Sequence, residues 1–478
     1  MSAEKYFIKT LGCKANLYDS QLIETQFKKK GLIAAKNELD PDLKYLVVNS
    51  CTVTDEADKQ SKKTVLRASK SNANLTTVMT GCSAEAHPET LLGTPGLNFV
   101  IGNRDKNKIA DIVLKNKKTD HTQILGSTIG YKELISQHPM DRQWPLPFIG
   151  SEEFLTLQEN TKRTRAFLKI QEGCNSFCTF CIIPYGRGPA RSLRPKHILD
   201  EIKKLSDAGF SEVVLTGTNL GDYGKDFSGT RELDFICEQI IEYTSIKRLR
   251  LSSLDPTEIS ERLIDLMTSE ERVCPHFHVS LQSPHSKILR LMKRGYGFKE
   301  VEECLIKIDN AKFKLKPFVG MDLISGFPGE TQEDFDWGVQ ALSELPWSRL
   351  HVFPYSERSQ TPATRLPKKV EQSERVKRTK VLSELSLKRL KQKYDESWNC
   401  LKTSSMHLEN VLLEGKTRGP DGTKNWIAGY TPNYLRVLLR VDQLDNSELK
   451  RNQNVSLMPT GVMIDLQSQE VSFLASTH

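Results

Sequence analysis

The chain has 478 residues, of which 38% are hydrophobic and 27% charged. This length allows two to four domains with full-sized cores, and the composition is typical of a globular protein. The sequence contains no run of about 18 apolar residues, so it predicts no membrane span. The N-terminus also lacks the pattern of a secretory signal, a basic segment followed by an apolar one. We therefore predict a cytoplasmic protein with no membrane partner, whose ten cysteines are thiols or metal ligands rather than disulfides.

The net charge of +8 is concentrated in one segment, residues 365–394. This segment holds eleven basic and three acidic residues, so its local charge of +8 equals that of the whole chain. Such a basic stripe suits a phosphate backbone and predicts a nucleic acid partner, although a solvated helix face explains the charges equally well. The basic residues are Arg365, Lys368, Lys369, Arg375, Lys377, Arg378, Lys380, Lys388, Arg389, Lys391 and Lys393.

Residues 1–130 repeat one pattern: a short apolar run, a turn with a cysteine and a helix-like segment. The runs KYFIKTLGC, KYLVVNSC and TTVMTGC end at Cys13, Cys51 and Cys82, and a fourth run, LNFVIGN, has no cysteine. Apolar strands that alternate with helices predict a parallel sheet. Because the carboxyl ends of parallel strands meet at one edge, the three thiols are predicted to meet there.

Residues 131–160 are polar and irregular and are interpreted as a linker. Residues 161–400, which include the basic helix, repeat the strand–helix alternation six times. This predicts an open, partial (β/α)₆ barrel with its function at the carboxyl ends of the strands. The six predicted strands are RAFLKI (165–170), EVVLTG (212–217), RLRLSS (248–253), HFHVSLQ (276–282), FVGMDLI (318–324) and LHVFPY (350–355).

Residues 401–475 consist of short β-rich runs separated by glycine or proline turns, such as HLENVLLEG and NVSLMPTGVMIDL. The pattern predicts a β-barrel of about 60–70 residues, the size of a nucleic-acid-binding module. The predicted fold class is therefore α/β: an N-terminal parallel α/β domain, a central partial barrel and a small C-terminal β-barrel.

Three cysteines, Cys174, Cys178 and Cys181, follow the first barrel strand in QEGCNSFCTFCIIP. A structural zinc site normally takes four ligands, and no fourth Cys or His lies close by in the sequence. Three thiolates suit a [4Fe–4S] cluster with one open iron, because the full complement is four. A zinc site or a redox thiol site is the alternative interpretation.

The C-x₃-C-x₂-C spacing after the first strand of a partial barrel resembles the radical S-adenosylmethionine (SAM) superfamily. The resemblance implies that the amino and carboxylate groups of SAM chelate the open iron. It also implies that an electron from the cluster cleaves SAM to a 5′-deoxyadenosyl radical. Phe180, directly before the third cysteine, is implied to pack near the adenine.

The segments TLGCKAN, VNSCTVT and MTGCSAE resemble the methylthiotransferase branch of that superfamily. The resemblance implies that Cys13, Cys51 and Cys82 hold an auxiliary [4Fe–4S] cluster whose open iron carries the sulfur to be transferred. The implied cofactors are thus two [4Fe–4S] clusters and SAM. The alternative is that each cysteine is a buried apolar residue, the commonest role of a lone Cys. The cysteines assigned to the core or the surface are Cys237, Cys274, Cys304 and Cys400.

The resemblance covers nearly the whole chain, from Lys5 to the C-terminus. Pro284 and Gln360 depart from the family, which has glycine at both positions. The matching segments at strand ends are LTGTNLGDYG (215–224), SLQSPHSKILRLMKRGY (280–296), DLISGFPGET (322–331) and HVFPYSERSQTPA (351–363). The implied SAM contacts, besides Phe180, are Gly217, Thr218, Asn219, Ser253, Gln282, Asp322 and Phe353.

The strand HFHVSLQ places His276 and His278 on one face, where two imidazoles could bind a metal. Ordinary strand residues that face solvent or a neighbouring helix are the favoured interpretation, and the same holds for His351. Candidates for reading the substrate, by charge and position alone and with a surface role as the alternative, are Arg187, Arg191 and Arg194.

The resemblance implies radical-mediated replacement of an unactivated C–H hydrogen by a methylthio group. The cofactors activate this C–H bond, so we predict no general acid or base among the side chains. TLGCKAN, TGTNLGDYG and HVFPYSERSQTPA are most similar to the tRNA N6-threonylcarbamoyladenosine methylthiotransferases, which act at C2 of the adenosine next to the anticodon. The implied partners are a tRNA anticodon stem-loop and an electron donor such as flavodoxin or ferredoxin. The terminal β-barrel resembles a TRAM domain.

Three alternatives stay open at this point. Two lie within the family, whose other branches act on N6-isopentenyladenosine in tRNA or on an aspartate of a ribosomal protein. The third belongs to a different class: a non-catalytic iron–sulfur protein that binds RNA or acts as a sensor without consuming SAM. The sequence does not indicate the oligomeric state.

Overall fold

The structure is a computed structural model that describes residues 3–118, 121–126, 164–404, 407–419, 421–441 and 452–476. The linker predicted at 131–160 lies outside the described residues. Within these ranges, no helix combines the length and apolar character needed to cross a membrane. Two α/β regions and a C-terminal β-barrel follow one another along the chain, which confirms the predicted fold class. The domain boundaries stay a prediction.

The N-terminal region is one parallel sheet between helices. Its strands are β1 (Lys5–Thr10), β2 (Ile33–Ala34), β3 (Leu43–Ser50), β4 (Thr76–Gly81), β5 (Phe99–Ile101) and β6 (Gln123–Leu125). Its helices are α1 (Lys14–Lys29), α2 (Asp55–Ser71), α3 (Cys82–Ala86) and α4 (Ile109–Lys115), with 3₁₀ turns at Pro88–Leu91 and Asn103–Lys108. The strand order is β2-β1-β3-β4-β5-β6. The short, poorly buried β2 and β6 were not predicted, because no apolar run marks them.

The central region is an open barrel of six parallel strands plus one short antiparallel pair, β8 and β9. Its strands are β7 (Arg165–Lys169), β8 (Gln171–Glu172), β9 (Arg191–Ser192), β10 (Glu212–Thr216), β11 (Arg248–Leu251), β12 (His276–Gln282), β13 (Phe318–Ser325) and β14 (Arg349–Pro354). Parallel bridges Leu249–Val273 and Leu254–Val279 join the two halves, so the order is β7-β10-β11-β12-β13-β14. The six-strand prediction is confirmed.

Helices cover the outside of this barrel and pack with its strands in one continuous core. They are α5 (Ile183–Arg187), α6 (Pro195–Asp207), α7 (Lys225–Ser228), α8 (Leu233–Tyr243), α9 (Glu261–Ser269), α10 (Ser286–Leu291), α11 (Phe298–Asn310), α12 (Gln332–Glu344) and α13 (Gln372–Ser404). The 3₁₀ turns are Leu220–Asp222, Pro256–Glu258 and Pro362–Arg365. Local capping signals fix several starts: Ser260 Oγ accepts the Leu263 N–H at 3.1 Å, and Thr331 with Asp334 forms a capping box.

The basic segment forms most of α13, a helix of 33 residues. Its arginines are partly used inside the protein: buried Arg375 and Arg378 pair with Glu357 and Glu330 at 2.9 and 2.8 Å. The surface left for a phosphate backbone is therefore narrower than the sequence indicates. Four exposed lysines lie on one face of the helix at helical spacing, and we call them the lysine stripe: Lys377, Lys380, Lys388 and Lys391.

Five strands close into the predicted C-terminal β-barrel. They are β15 (Leu408–Thr417), β16 (Trp426–Tyr430), β17 (Arg436–Arg440), β18 (Asn454–Asp465) and β19 (Glu470–Ser476). Their order is β15-β16-β17-β19-β18, and only the β17–β19 pairing among them is parallel. Leu390 and Tyr394 of α13 pack into the barrel core with Val411, Val437 and Phe473. The long basic helix thus connects the two barrels and contributes to the second core.

The C-terminal barrel covers the amino ends of the central strands. The Tyr434 ring lies 4.6 Å from the His276 ring and 4.8 Å from Cζ of Arg250. The Tyr434 hydroxyl accepts a hydrogen bond from Arg165 at 3.1 Å. Arg248 donates to three backbone carbonyl groups of the C-terminal barrel. These contacts close the lumen of the central barrel at this end.

The N-terminal sheet covers the opposite end, where the central strands finish. Asp19 on α1 is fully buried and pairs with Lys106 at 2.8 Å, Lys169 at 2.6 Å and Arg187 at 3.0 Å. Glu172 pairs with Arg187 at 2.9 Å and Lys169 at 3.2 Å. We call these five residues the Asp19 network. Burial raises the pKa of the Asp19 carboxyl, but the three cations outweigh it and hold the pKa well below its usual range.

Replacing Tyr434 with alanine should loosen the C-terminal barrel from the central one. The change removes the ring contacts and the acceptor for Arg165, so we expect the free energy of unfolding to fall by about 2–4 kcal/mol. Urea denaturation measures this fall, and limited proteolysis should release the C-terminal barrel faster. Tyr243→Ala, at a tyrosine 51% exposed on α8, is the control and should cost less than about 0.5 kcal/mol. Equal, small effects at both positions would contradict the docking role.

Replacing Asp19 with asparagine should destabilise the contact between the sheet and the barrel. Three buried cations lose their shared counter-ion, so we expect a loss of about 3–5 kcal/mol in the free energy of unfolding. Hydrogen exchange should also speed up in α1 and α5, which the network joins. Asp42→Asn is the control, because its side chain is 74% exposed and makes one surface ion pair, a contact worth at most about 1 kcal/mol. The role assigned to Asp19 fails if the two variants are equally stable.

Candidate active site

The three N-terminal cysteines meet at one edge of the sheet, the place predicted from its parallel strands. Cys13, Cys51 and Cys82 follow β1, β3 and β4, which are neighbours in the sheet. Ser50 and Gly81 are paired in register, so Cys51 and Cys82 leave adjacent strands at the same level. The three thiols lie within electrostatic range of one another. We call them the N-terminal trio.

A glycine allows this approach. Gly12 has a φ of +94°, in the left-handed region that favours glycine. A Cβ at this position would lie 2.6 Å from the Cβ of Cys51 and 2.7 Å from its sulfur. Any other residue before Cys13 would therefore push Cys51 out of the trio.

The second group, Cys174, Cys178 and Cys181, occupies the loop between β8 and α5, at the carboxyl end of β7. Gly173 turns the chain into this loop with a φ of +76°. A Cβ there would lie 1.9 Å from the carbonyl oxygen of Pro189, so only glycine fits. We call these three cysteines the loop trio.

Hydrogen bonds orient two sulfur atoms of the loop trio. Arg294 Nη1 donates to Cys178 Sγ at 3.1 Å, and the Ser176 N–H donates to Cys174 Sγ at 3.4 Å. Arg294 is itself held by an ion pair with Asp255. A charged donor to sulfur stabilises the thiolate, the form that binds a metal.

The two trios lie on elements that pack together. Helix α3 starts at Cys82, and α5 starts two residues after Cys181. A Cβ at Gly186 of α5 would lie 3.1 Å from the Cβ of Cys82. Asn103 Nδ2 donates to the Gly186 carbonyl and lies 3.9 Å from the Cys82 sulfur. Both trios therefore border the mouth of the central barrel.

Burial keeps four of these thiols protonated unless a cationic group joins them. It raises the pKa of Cys51 to about 12 and that of Cys174 to about 11, and it also raises the pKa of Cys82 and of Cys181. Neighbouring thiols in the same trio raise the pKa of Cys51, Cys174 and Cys181 further. A bound metal group supplies the positive charge that allows such thiols to ionise, and three sulfur donors with one open position suit an iron–sulfur cluster.

The spacing of thiol ligands differs between a single metal ion and a cluster. Across the ranges that the structure describes, no three His, Cys, Asp or Glu side chains converge closely enough to hold one metal ion. Sulfur ligands of one tetrahedral zinc, with bonds of about 2.3 Å, lie about 4 Å apart. Each cysteine of a four-iron cluster binds a different iron, which needs wider spacing. A four-iron cluster therefore suits thiols that are more widely spaced than the ligands of one zinc ion.

A surplus of positive charge lies behind the N-terminal trio. Arg187 and Lys106 are within electrostatic range of Cys82. Arg191 extends the Asp19 network through Glu172 at 3.4 Å, which gives four cations against two carboxylates. This surplus suits an anionic group such as a thiolate-bound cluster.

The loop after β10 is held in a fixed shape beside the loop trio. Gln171 Oε1 accepts the backbone N–H groups of Thr218 and Asn219 at 3.0 and 2.8 Å. A Cβ at Gly217 would lie 3.0 Å from the Gln171 side chain. Thr218 Oγ1 is buried and makes no hydrogen bond with the described part of the chain. A buried hydroxyl without a partner suits a polar ligand group at this position.

A hydrogen-bonded chain of side chains lies inside the barrel. His278 Nδ1 is 3.4 Å from Ser253 Oγ, and His278 Nε2 is 2.9 Å from Asp322 Oδ1. The His351 ring lies 5.3 Å from that of His278, and burial lowers the pKa of His351 to about 4. Val279, on the other face of β12, belongs to the core under the helices. Placing His278 and His351 toward solvent or a helix was therefore wrong, because both face the lumen.

His276 does not join this chain of hydrogen bonds. It is buried; its ring stacks on Phe318 at 6.0 Å and lies tilted against Tyr434 at 4.6 Å. Burial lowers the pKa of His276 well below its usual value. The two histidines of HFH thus serve different contacts and do not converge on a metal.

The remaining predicted SAM contacts lie at separate places around the mouth. Phe180 packs edge-on against Phe327 at 6.3 Å, in an apolar cluster beside the loop trio. Gln282 ends β12 with a φ of +65°, a strained conformation for a residue other than glycine. Phe353 is 47% exposed near the end of β14. Their roles toward SAM stay a prediction.

The three arginines that were candidates for recognising the substrate make contacts within the protein instead. Arg187 is buried in the Asp19 network. Arg191 is buried against Glu172 and the carbonyl groups of Pro189 and Arg187. Arg194 is exposed and its guanidinium covers the Phe227 ring at 4.7 Å. A structural role therefore fits all three.

The two departures from the family pattern serve contacts between elements. Gln360 Nε2 lies 3.0 Å from His87 Nδ1 of the N-terminal region and donates to the Ala86 carbonyl at 3.4 Å. Pro284 packs so closely on α12 that a Cβ at Gly338 would lie 2.8 Å from its Cγ.

Several site residues carried no sequence signal of their own. In the sequence alone, nothing distinguishes Asp19, Lys106 and Lys169 from ordinary residues of a helix, a turn and a strand. Gln171 and Arg294 lie in segments that were singled out for their resemblance to the family, and only their partners in the structure reveal their roles.

Comparisons with known proteins agree with this site. Residues 168–337 match the family model described as Radical SAM superfamily, and residues 5–102 match Uncharacterized protein family UPF0004. The threonylcarbamoyladenosine tRNA methylthiotransferase MtaB of Bacillus subtilis is 33% identical over 440 residues, which span 90% of this chain and 89% of that protein. MtaB of Aquifex aeolicus is 35% identical over 396 residues, 82% of this chain and 90% of that protein.

A solved structure supports the fold. The radical SAM methyltransferase TsrM from Kitasatospora setae superimposes with a TM-score of 0.52 at 13% identity, covering 76% of this chain and 77% of that one. The open parallel barrel and the cysteine loop after its first strand define a radical SAM protein, a class that uses SAM and a [4Fe–4S] cluster. Within that class, the chain belongs to the radical SAM methylthiotransferase family.

Proposed function

We propose that this enzyme adds a methylthio group to C2 of N6-threonylcarbamoyladenosine next to the anticodon of tRNA, giving 2-methylthio-N6-threonylcarbamoyladenosine. The observation that carries the proposal is the placement of two three-thiol groups on packed elements, α3 and α5, at one end of the barrel. A reaction that both cleaves SAM and inserts sulfur needs one such group for each task. A non-catalytic sensor needs neither a second trio nor a site for SAM.

In this proposal the loop trio, Cys174, Cys178 and Cys181, holds the cluster that binds SAM, and the N-terminal trio, Cys13, Cys51 and Cys82, holds the auxiliary cluster. When bound, these groups supply reductive cleavage of SAM and the sulfur to be transferred. The protein supplies placement and charge. Arg294 donates to a sulfur of the loop trio, and the Asp19 network brings positive charge to the N-terminal trio.

The predicted SAM residues divide into apolar and polar contacts. The cluster around Phe180 provides an apolar wall for the adenine. The Thr218 hydroxyl, which makes no hydrogen bond with the described residues, and the fixed loop of Gly217 and Asn219 provide hydrogen-bonding groups. Ser253 and Asp322 contact the ligand from the lumen, and Gln282 and Phe353 from the rim.

Two features support tRNA as the substrate. Both relatives described above are named for threonylcarbamoyladenosine in tRNA. The lysine stripe on α13 offers an exposed row of cations for a phosphate backbone, and the small terminal β-barrel, which resembles a TRAM domain, lies at the end of the same helix. An anticodon loop exposes unpaired bases that can enter a barrel mouth. The electron comes from a donor such as flavodoxin or ferredoxin, in the cytoplasm.

The iron content of the protein shows whether it holds one [4Fe–4S] cluster or two. Anaerobically reconstituted protein should bind about eight iron atoms per chain, because each four-iron cluster contributes four. Replacing Cys13, Cys51 and Cys82 together with alanine should lower this to about four, and so should replacing the loop trio. Cys304→Ala, at a buried core cysteine of α11, is the control and should keep the full content. An unchanged iron content in the N-terminal variant would rule out the second cluster.

Nucleoside mass spectrometry of tRNA tests the reaction and the substrate together. A host without its own enzyme of this type expresses either this chain or its Cys174→Ala variant. We expect a methylthio addition to N6-threonylcarbamoyladenosine with the former and none with the latter, which cannot bind the SAM-cleaving cluster. If the wild-type chain cleaves SAM but leaves this nucleoside unchanged, the substrate is N6-isopentenyladenosine or a ribosomal-protein aspartate instead. If reduced two-cluster protein releases no 5′-deoxyadenosine, the enzymatic proposal fails.

A further inference from the structure

Lys14 adds a positive charge beside the N-terminal trio. It is the first residue of α1 and directly follows Cys13 of the N-terminal trio. Among the residues that the structure describes, its ammonium group makes no salt bridge and no hydrogen bond. A partly buried cation without a counter-ion is unfavourable for folding, so its position calls for an anionic ligand.

The Lys14 side chain extends from the N-terminal sheet into the lumen of the central barrel. Charged or titratable groups on five different barrel strands lie within electrostatic range of its ammonium group. A single point is close to all five strands only if it lies inside the barrel. The groups are Arg165 on β7, Glu212 on β10, Arg250 on β11, His276 on β12 and Asp322 on β13.

The other ions of the lumen already have partners. The pairs are Arg250–Glu212 at 2.7 Å, Arg248–Glu212 at 2.8 Å, Arg165–Glu414 at 2.7 Å and His278–Asp322 at 2.9 Å. Within the described part of the chain, Lys14 is therefore the cation of this group that has no ion-pair partner; Arg250 has its ion pair, although its Nη1 makes no hydrogen bond there. Asp322, which lies within electrostatic range of Lys14, pairs with His278, whose ring lies 5.3 Å from that of His351.

The position of Lys14 also suits one particular part of the proposed substrate. The threonylcarbamoyl group carries a carboxylate, which an isopentenyl group lacks. N6 and C2 of adenine both lie on the Watson–Crick edge, so a residue that reads the N6 substituent must stand beside the group that delivers sulfur to C2. Lys14 directly follows Cys13, so its side chain starts beside the N-terminal trio and extends from there into the lumen.

We propose that Lys14 binds the carboxylate of the threonylcarbamoyl group and so selects this nucleoside over adenosines with an uncharged N6 substituent. The inference rests on the proposed function and adds the residue that determines substrate specificity. The methionyl carboxylate of SAM has the same chemistry, so the test must distinguish the two sources. A Lys–carboxylate contact of this kind is worth about ten- to a hundredfold in affinity.

The test compares two anticodon stem-loops, one with N6-threonylcarbamoyladenosine and one with its threonine carboxylate neutralised as the methyl ester. We expect the wild-type enzyme to prefer the acid by about ten- to a hundredfold in kcat/KM. Lys14→Gln should lose this preference, and Lys14→Arg should restore most of it, because the positive charge returns. The acid-to-ester ratio of kcat/KM is taken within each variant. A lower fraction of protein with both clusters bound therefore lowers both kcat/KM values equally and leaves their ratio unchanged.

Lys70→Gln is the matched control. Lys70 is an exposed lysine in the last turn of α2, in the same region of the chain, and its replacement should leave the acid-to-ester ratio unchanged. Equilibrium dialysis with SAM is measured in parallel for every variant.

The proposal is overturned if Lys14→Gln keeps the wild-type preference for the acid. It is also overturned if Lys14→Gln weakens SAM binding tenfold or more while the acid-to-ester ratio stays constant, because Lys14 then serves the SAM carboxylate. A different pattern marks failure of the underlying function: the wild-type enzyme cleaves SAM but methylthiolates neither stem-loop, and both proposals fall together.

Discussion

The buried carboxylate of Asp19 fixes how the two halves of the active site face each other. It pairs with three cations that come from the N-terminal region, from β7 and from α5. Buried charges are tolerated only when they are paired, and removing one partner leaves the others uncompensated. Any shift of the sheet relative to the barrel therefore breaks several ion pairs at once. Because α3 and α5 carry or adjoin the two cysteine trios, the same network sets the relative position of the trios.

The central barrel is closed at one end and used at the other. The C-terminal barrel seals the amino ends of the strands through Tyr434, and the N-terminal sheet brings a second set of thiols to the carboxyl ends. Helix α13 runs along the edge strand β14, where Ser386 accepts the Leu350 N–H at 2.9 Å. The lysine stripe lies on the face of α13 turned away from Ser386, so it points away from β14.

Electrostatics and sterics act together around the cysteines. Glycines at positions 12 and 173 let the chain turn and let sulfur atoms approach, while burial disfavours free thiolates. The positive surplus of the Asp19 network and the guanidinium of Arg294 favour an anionic, metal-bound state instead. Lys14 extends this positive environment into the lumen. The site is therefore prepared for anionic groups before any ligand arrives.

The sequence by itself determined the fold class, the six barrel strands, the terminal β-barrel and the two groups of three cysteines. These follow from local patterns: apolar runs of fixed period, turns after strands, and the spacing C-x₃-C-x₂-C. Tertiary structure decided which charges pair and which faces point inward. Asp19 meets its cations across 87, 150 and 168 residues of sequence, a separation that leaves no local trace. His278 was misplaced because both faces of a barrel strand are covered, so periodicity cannot tell lumen from helix. Arg375 and Arg378 looked available for RNA because a charge pattern does not show its buried partners.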